Sequence, residues 1–403
     1  EKEVVEHILE LRASLRGNGG TIEQADADAE EASAEEATTE EGGDLEEAAA
    51  ADASGPAEAE RAKWLGELKD LQAELAVMQG EHPLILPNVD HQAVASVVQD
   101  WTGLPVGRMV KNEVAAVLYL ASELGKRVIG PDHGLEMIAK RVQTSRAKLD
   151  NPGKPIGVFM LAGPSGVGKT ESALAIAETL YGGEQNVITI NMSEFQEAHT
   201  VSTLKGAPPG YVGYCEGGVL TEAVRRKPYS VVLLDEVEKA HPDVHEIFFQ
   251  VFDKGHMEDG EGRQIDFKNT LILLTTNVGT DLIMNMCKDP ELMPDAESLA
   301  KSMREPLLKV FPAALLGRIV TIPYYPLSDE VIALITRLQL GRIEKRVAEY
   351  HNVPFTYTED VVDLICSRCT ELESGGRMID AILTNTVLPT ISEEFLTRMV
   401  EGK

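Results

Sequence analysis

Residues 156–170 read Ile-Gly-Val-Phe-Met-Leu-Ala-Gly-Pro-Ser-Gly-Val-Gly-Lys-Thr, an apolar run that stops at a glycine-rich turn and opens into a helix-like stretch, Glu171 to Tyr181. The run Ile156 to Ala162 has the composition of a strand buried on both faces. The turn, Gly163, Pro164, Ser165, Gly166, Val167, Gly168, Lys169 and Thr170, is a phosphate-binding loop. Its glycines let backbone N–H groups curl around phosphate oxygens, Lys169 can reach the β- and γ-phosphates, and the Thr170 hydroxyl can ligate Mg²⁺. The helix that follows adds its dipole to anion binding. Nucleoside triphosphate chemistry is therefore the starting expectation, and the rest of the chain says which kind.

Further apolar runs at Val187 to Asn191, Ser230 to Leu234, Leu271 to Thr275 and Ile319 to Ile322 alternate with helical patterns. This predicts an α/β fold with a parallel five-stranded sheet flanked by helices. Val231-Val232-Leu233-Leu234-Asp235-Glu236 is an apolar strand that ends in two acids. A strand covered on both faces tolerates carboxylates only at its carboxyl end, where open α/β sheets bind ligands. Asp235 is placed to hold Mg²⁺ through water, and Glu236 to polarise the attacking water. Asn277 ends another apolar strand; its amide could orient that water, or it could be an ordinary turn residue.

After Pro326 the patterning turns helical, over Asp329 to Tyr350, Glu359 to Cys369 and Gly376 to Met399, as expected for a small lid domain. Upstream, Gly130-Pro131-Asp132 prepares a helix from His133 to Lys148 with Asp132 as its N-cap. At the N-terminus, Val4, Ile8, Leu11 and Leu15, and then Trp64, Leu68, Leu71, Leu75 and Met78, keep the three-and-four spacing of a coiled-coil-like seam. Between them, residues 17–60 have almost no large apolar side chains and are expected to be a solvated linker. The expected domains are residues 1–80, a coiled-coil-like remnant with that linker; residues 81–326, the large ATPase domain; and residues 327–403, the helical lid. The start at Glu1, within a helix-like stretch, is read as the beginning of a fragment or processed product.

The formal charge is -29, and residues 1–60 carry 19 Asp and Glu against 3 Lys and Arg. This argues against nucleic acid as the main partner, which would need clustered basic residues. No apolar run is long enough to insert in a membrane, so a cytoplasmic protein is expected. The four cysteines, Cys215, Cys287, Cys366 and Cys369, are too few and scattered for a disulfide framework, and Cys366 and Cys369 lack a second ligand pair for zinc.

Six elements occur in a fixed order: the phosphate loop, Gly210-Tyr211-Val212-Gly213, Leu233-Leu234-Asp235-Glu236, Asn277, Gly317-Arg318 and Gly375-Gly376-Arg377. From about Val89 onward the chain resembles the second ATPase module of the AAA+ Clp/Hsp100 unfoldases. The resemblance implies a homo-hexamer that threads a protein substrate through a central pore. It implies that Tyr211 and Val212, in the glycine-flanked loop from Gly210 to Gly213, grip the substrate, and that Glu258 to Arg263 form a lower pore loop. Arg318 matches the arginine finger that reaches the neighbouring subunit's γ-phosphate, and Arg377 the lid arginine that senses nucleotide in its own subunit. Asn277 takes the water-orienting role, and Val128 and Ile129 correspond to the apolar contacts on the adenine.

Within that family, Trp101 to Met109, Phe311 to Arg318 and Pro323 to Leu327 are similar to the ClpV type, the ATPase of bacterial type VI secretion. Gly317 stands where ClpB disaggregases usually carry Asn, and residues 278–317 lack the docking tripeptide of protease-partner members. The client implied is then a type VI secretion sheath subunit. A general ClpB-like disaggregase, or a ring that binds ATP mainly to assemble, are the alternatives. Cys215 and His256 depart from the family pattern, which has Gly and an aromatic there.

Overall fold

The computed structural model describes residues 2–17, 56–79, 94, 97–98, 117–207, 210, 217–289, 292–351, 353–369 and 375–401. By its contacts the chain forms two compact units, Glu1–Val97 and Val98–Lys403. In the first, the helices Lys2–Gly17 and Pro56–Gln79 pack on each other through Val5, Ile8 and Leu75, with Val4, Leu68 and Leu71 alongside. The seam read from the sequence is thus the contact between these two helices, although Met78 is exposed. The second helix begins within the stretch expected to be linker; most of that stretch lies outside the described residues.

The second unit is built on five strands: β1 (Gly157–Ala162), β2 (Val187–Asn191), β3 (Val231–Asp235), β6 (Leu271–Thr276) and β7 (Val320–Pro323). They form one parallel sheet in the order β2-β3-β6-β1-β7. Between β3 and β6 the chain makes a small antiparallel hairpin, β4 (His256–Glu258) with β5 (Gln264–Asp266), which sequence patterning did not suggest.

Every residue of β1 and β6 is buried, which is why their sequences lack polar alternation. The pleat nevertheless sorts them. Phe159 and Leu161 of β1, Val231 and Leu233 of β3, and Leu271 and Leu273 of β6 belong to one core with Leu135, Ile138 and Ile176. Val158 and Met160, Val232 and Leu234, and Ile272 and Leu274 belong to a second core with Val244, Phe248 and Leu299. Two helical layers therefore cover the sheet, and its apolar strand residues have partners on one face or the other, except Val320 of the edge strand β7, which is exposed.

The C-terminal helices continue the first core. Leu340 and Ile343 of the helix Asp329–His351, Val362 and Ile365 of Glu359–Arg368, and Ile379 of Gly375–Ile382 all join it. The last segment is not one helix as its pattern suggested: a π turn, Leu383–Val387, separates Gly375–Ile382 from Leu388–Glu401. Pro389, which has no N–H to give and crowds the preceding turn, accounts for the break. Asp132 is also placed differently from expectation. It is the first residue of the helix Asp132–Arg146, after Pro131, and makes no side-chain cap; its carboxylate sits in the first turn, where the helix dipole favours it.

Candidate functional site

The register of the sheet brings the site together. Ala162 of β1 is level with Thr276 of β6, and Leu234 of β3 is level with Leu274. The phosphate loop, Asp235, Glu236 and Asn277 consequently leave the same carboxyl edge within three adjacent strands. A cavity of about 450 Å³ opens there, lined by Ser165 to Glu171 of the loop and helix, and by Asp235, Glu236, Thr275 and Asn277. Val128 and Ile129 form one apolar wall and Ile335 and Leu338, from the helix Asp329–His351, form the facing one. Gly376, Arg377 and Asp380 close the end. A larger cavity, about 810 Å³, lies beside Ile156 and Tyr229 at the amino edge of the sheet, away from all of these groups.

Lys169 is the most constrained group in the site. It is 8% exposed, and its ammonium donates to Gly163 O (2.5 Å), Pro164 O (3.1 Å), Thr276 O (3.1 Å) and Asn277 Oδ1 (2.7 Å). Burial pushes its pKa down to about 8; Glu238 and Asp235 oppose that shift, and the Arg377 charge adds to it. Asn277 is thus tied to the phosphate-loop lysine, and its N–H donates to Glu238 Oε1 at 3.2 Å. The other Glu238 oxygen is buried without a hydrogen bond.

Asp235 accepts a short hydrogen bond from the Thr275 hydroxyl, and the Glu236 N–H donates back to that hydroxyl at 3.0 Å. Thr275 therefore fixes both acids to the neighbouring strand. Glu236 adopts a left-handed backbone, φ 56°, which is costly for a residue with a Cβ and turns its side chain off the strand direction. Its carboxylate accepts Lys239 Nζ at 2.6 Å.

The residues fit a magnesium nucleotide. Thr170 and Asp235 supply hard oxygen donors beside the glycine-rich loop that lines the cavity, and among the described residues no cluster of three His, Cys, Asp or Glu offers a competing all-protein metal cage. Mg²⁺ normally keeps most of its ligands as phosphate and water, so one hydroxyl and one carboxylate are enough.

Several site residues were not legible in the sequence. Glu171 Oε1 accepts both Arg127 Nε (2.9 Å) and Arg342 Nη2 (3.0 Å). Arg127 also donates to Glu178 and Glu184, and these acids hold its pKa above the ordinary value although burial pulls the other way. Arg127 directly precedes Val128, so the network ties the apolar wall, the phosphate-loop helix and the helix Asp329–His351 together at one carboxylate. The Gly376 N–H donates to Gly166 O at 2.9 Å, which sets the C-terminal helix carrying Arg377 directly on the phosphate loop.

Arg318 is apart from all this. It does not line the cavity of its own chain; it lies partly exposed beside Asp253 and over the Phe249 ring at 5.5 Å. Gly210 is described, with φ 90°, but Tyr211, Val212, Gly213 and Cys215 lie outside the described residues. His256 opens β4, with Nδ1 3.0 Å from Lys254 O.

A parallel sheet of this strand order, with a glycine loop after β1, paired acids after β3 and a helical cap over the nucleotide edge, defines an AAA+ ATPase. Residues 154–322 match the family model of the AAA domain (Cdc48 subfamily), and residues 327–403 match that of the C-terminal, D2-small domain, of ClpB protein. The whole chain is 70% identical to 42% of the AAA+ ATPase ClpV1 of Pseudomonas aeruginosa. Over 85% of its length it is 54% identical to 38% of the chaperone protein ClpB of Yersinia enterocolitica. The fold superposes with a TM-score of 0.67 and 31% identity on Hsp104, in its closed-state cryo-EM reconstruction with ATPγS and FITC-casein, covering 77% of this chain and 53% of that one. The chain belongs to the Clp/Hsp100 family of AAA+ ATPases, as a second ATPase module. It spans less than half the length of these two curated relatives.

Proposed function

We propose that this module hydrolyses ATP at the boundary between subunits of a homo-hexamer and uses the reaction to thread a protein substrate through a central pore. The observation that carries the reading is the separation of two groups. Glu236 stands at the cavity edge beside the phosphate loop, whereas Arg318, just after the short helix Ala313–Leu316, is bound to Asp253 near the end of the helix Pro242–Lys254 and does not line the cavity of its own chain. The cavity holds its own cations, Lys169, Arg127, Arg342 and Arg377, so in this reading Arg318 can act at a γ-phosphate only in a neighbour's site.

In this reading the phosphate loop and Lys169 hold the β- and γ-phosphates, and Thr170 and Asp235 hold Mg²⁺, which when bound neutralises phosphate charge. Glu236 takes the proton from the attacking water, Asn277 orients that water, and the neighbour's copy of Arg318 meets charge developing on the γ-phosphate. Glu236 must leave Lys239 to do so. Val128 and Ile129 pack on the adenine, and Arg377, carried by the lid of residues 327–403, reports nucleotide to the ATPase domain of residues 81–326. Tyr211 and Val212 touch the moving chain, their glycine neighbours allowing the loop to follow it.

The likeness to ClpV1 supports a type VI secretion sheath as client, and a bacterial cytoplasmic location follows from that client. Among the described residues no helix is long and apolar enough to cross a membrane. The Hsp104 relative, solved with FITC-casein, supports an unfolded polypeptide as the material handled.

Subunit mixing tests the trans site. Rings made only of Glu236→Gln or only of Arg318→Ala chains should each be inactive. Mixed rings contain interfaces where an intact Glu236 meets an intact Arg318, so they should regain phosphate release. Mixed rings as inactive as either parent would overturn the shared site. Incubating active rings with contracted sheaths and, separately, with heat-aggregated protein decides between the sheath client and a general disaggregase.

A further inference from the structure

Gly206 and Gly218, which lie before and after Tyr211 in the chain, touch. A Cβ built on Gly218 would lie 2.5 Å from both Gly206 N and Leu204 O, a separation that real side chains do not tolerate. The turn between β4 and β5 presses on the same place. A Cβ on Gly260 would lie 2.5 Å from Ala207 O and 2.7 Å from the Gly206 carbonyl carbon. Gly206 itself has φ 101°, a backbone that residues with a Cβ rarely adopt. Three glycines thus let three stretches of backbone meet with no side chain between them.

Hydrogen bonds converge on the same point. Lys205 O accepts the Gly260 N–H at 3.3 Å and lies 3.2 Å from the Thr221 hydroxyl, which is equally close to Gly218 O. Thr221 is 1% exposed, so its single proton is shared between the two ends of the segment. The turn that presses on this neck is stiff. Asp259 Oδ1 accepts the N–H groups of Glu261 (2.9 Å) and Arg263 (2.8 Å), and the Asp259 N–H donates to Arg263 O (2.9 Å). Below it, Met257 and Ile265 of the hairpin are buried in the same core as Leu204 and Leu220 on either side of the neck.

This hairpin is also joined to the nucleotide edge. Glu236 leads through the turn Val237–Lys239 into the helix Pro242–Lys254, and that helix ends one residue before β4.

We propose that Gly206, Gly218 and Gly260 are positioning residues for the polypeptide grip. They clamp the neck of segment 207–217 to the Asp259–Gly262 turn, so that a displacement of the hairpin is delivered to both ends of the gripping segment at once. The clamp rests on the grip assigned to Tyr211 above, but it makes a separate claim. The two loops move as one body, and ATP is wasted when they do not.

The test measures ATP consumed per molecule of permanently unfolded, fluorescein-labelled casein moved by assembled rings. Gly218→Ala must open the neck, and should raise ATP consumed per casein about fivefold. The KM for ATP and the casein-free turnover should stay within about twofold, which a general structural defect would not allow. Because Gly218→Ala can fail to fold, Thr221→Val supplies a same-shaped variant that removes only the shared hydroxyl. It should raise the ATP cost about twofold, and Thr221→Ser should restore it. Wild-type ATP cost in Thr221→Val, and in Gly218→Ala where that variant folds, would overturn the clamp. Tyr211→Ala separates the two claims. If it halts casein while the neck variants run normally, the clamp fails and the grip stands; if it moves casein normally, the grip fails and the clamp falls with it.

Discussion

The guanidinium of Arg318 is held by Asp253 of the same chain, with Nε at 2.8 Å and Nη2 at 2.7 Å from one carboxylate oxygen. Nη1 donates to Ala314 O at 2.6 Å, and the Phe249 ring lies beneath. Hydrogen bonding to Arg318 in turn draws the Asp253 carboxyl below its ordinary pKa. An exposed ion pair of this kind adds little to stability. It does fix a long side chain in one orientation, which is what a group reaching a neighbour's phosphate requires. Both Phe249 and Asp253 stand on the helix Pro242–Lys254, which follows Glu236 through the turn Val237–Lys239, so this helix connects the segment after Glu236 to the partners of Arg318.

Asp253→Ala is therefore expected to lower ATP turnover of assembled rings by roughly tenfold, through loss of orientation, while nucleotide affinity stays near wild type. Steady-state phosphate release together with titration of a fluorescent ADP separates the two. Unchanged turnover would mean that Asp253 does not position Arg318 for hydrolysis.

Lys239 restrains Glu236 through the 2.6 Å ion pair. Both side chains are partly exposed, so the restraint is weak. Lys239→Ala should free the carboxylate for the water and raise turnover roughly twofold at saturating ATP. A fall in turnover would show instead that Lys239 supports the reactive arrangement.

Glu171 is a hub rather than a phosphate ligand. Burial raises its carboxyl pKa, but the hydrogen bonds from Arg127 and Arg342 outweigh that and leave it below the ordinary value. Glu171→Gln keeps the shape and removes the charge on which both arginines converge. ADP affinity should fall about fivefold, since the apolar wall at Val128 and the helix bearing Ile335 and Leu338 lose their common anchor. Isothermal titration of Glu171→Gln, Arg342→Gln and the double variant checks this; the double variant should lose less than the sum of the singles.

What the sequence disclosed followed from range. The five sheet strands begin and end within one residue of the apolar runs, because a strand covered on both faces leaves a contiguous signature. The phosphate loop and the acids Asp235 and Glu236 are local too, and the parallel register then brings them together. The hairpin Met257/Ile265 went unread, since three-residue strands with one buried side chain each carry no measurable period. The pairings Arg318 with Asp253 and Glu171 with Arg342 join residues 65 and 171 positions apart. Surface charges at such separations have no spacing rule, so only the fold reveals them. Pro389 stands well inside the expected helix Gly376 to Met399, where a proline signals a break, but the helical pattern that continues on both sides hid that signal.

His245 sets an acid limit on the module. It is 3% exposed on the helix Pro242–Lys254, with Nε2 3.1 Å from Val237 O and its ring edge-on to Phe311. Burial lowers its pKa; the Val237 hydrogen bond opposes this, and the charge of His241 adds to it. The folded protein thus binds the proton less readily than the unfolded chain, whose histidine titrates near 6.5. Above pH 7 both states are neutral here and the group is silent. As pH falls through 6.5 the unfolded state gains the proton first, so stability declines toward the folded pKa, by at most about 1.4 kcal/mol per pH unit. Urea unfolding at pH 7.5, 6.5 and 5.5 should show this decline. His245→Gln, which retains an N–H for Val237 O, should flatten it across that window while stability at pH 7.5 changes little. The same slope in both proteins would assign the acid sensitivity to other groups. Because this helix follows Glu236 after one turn and carries Phe249 and Asp253, the partners of Arg318, the wild-type ring should also lose turnover over the same window before it unfolds.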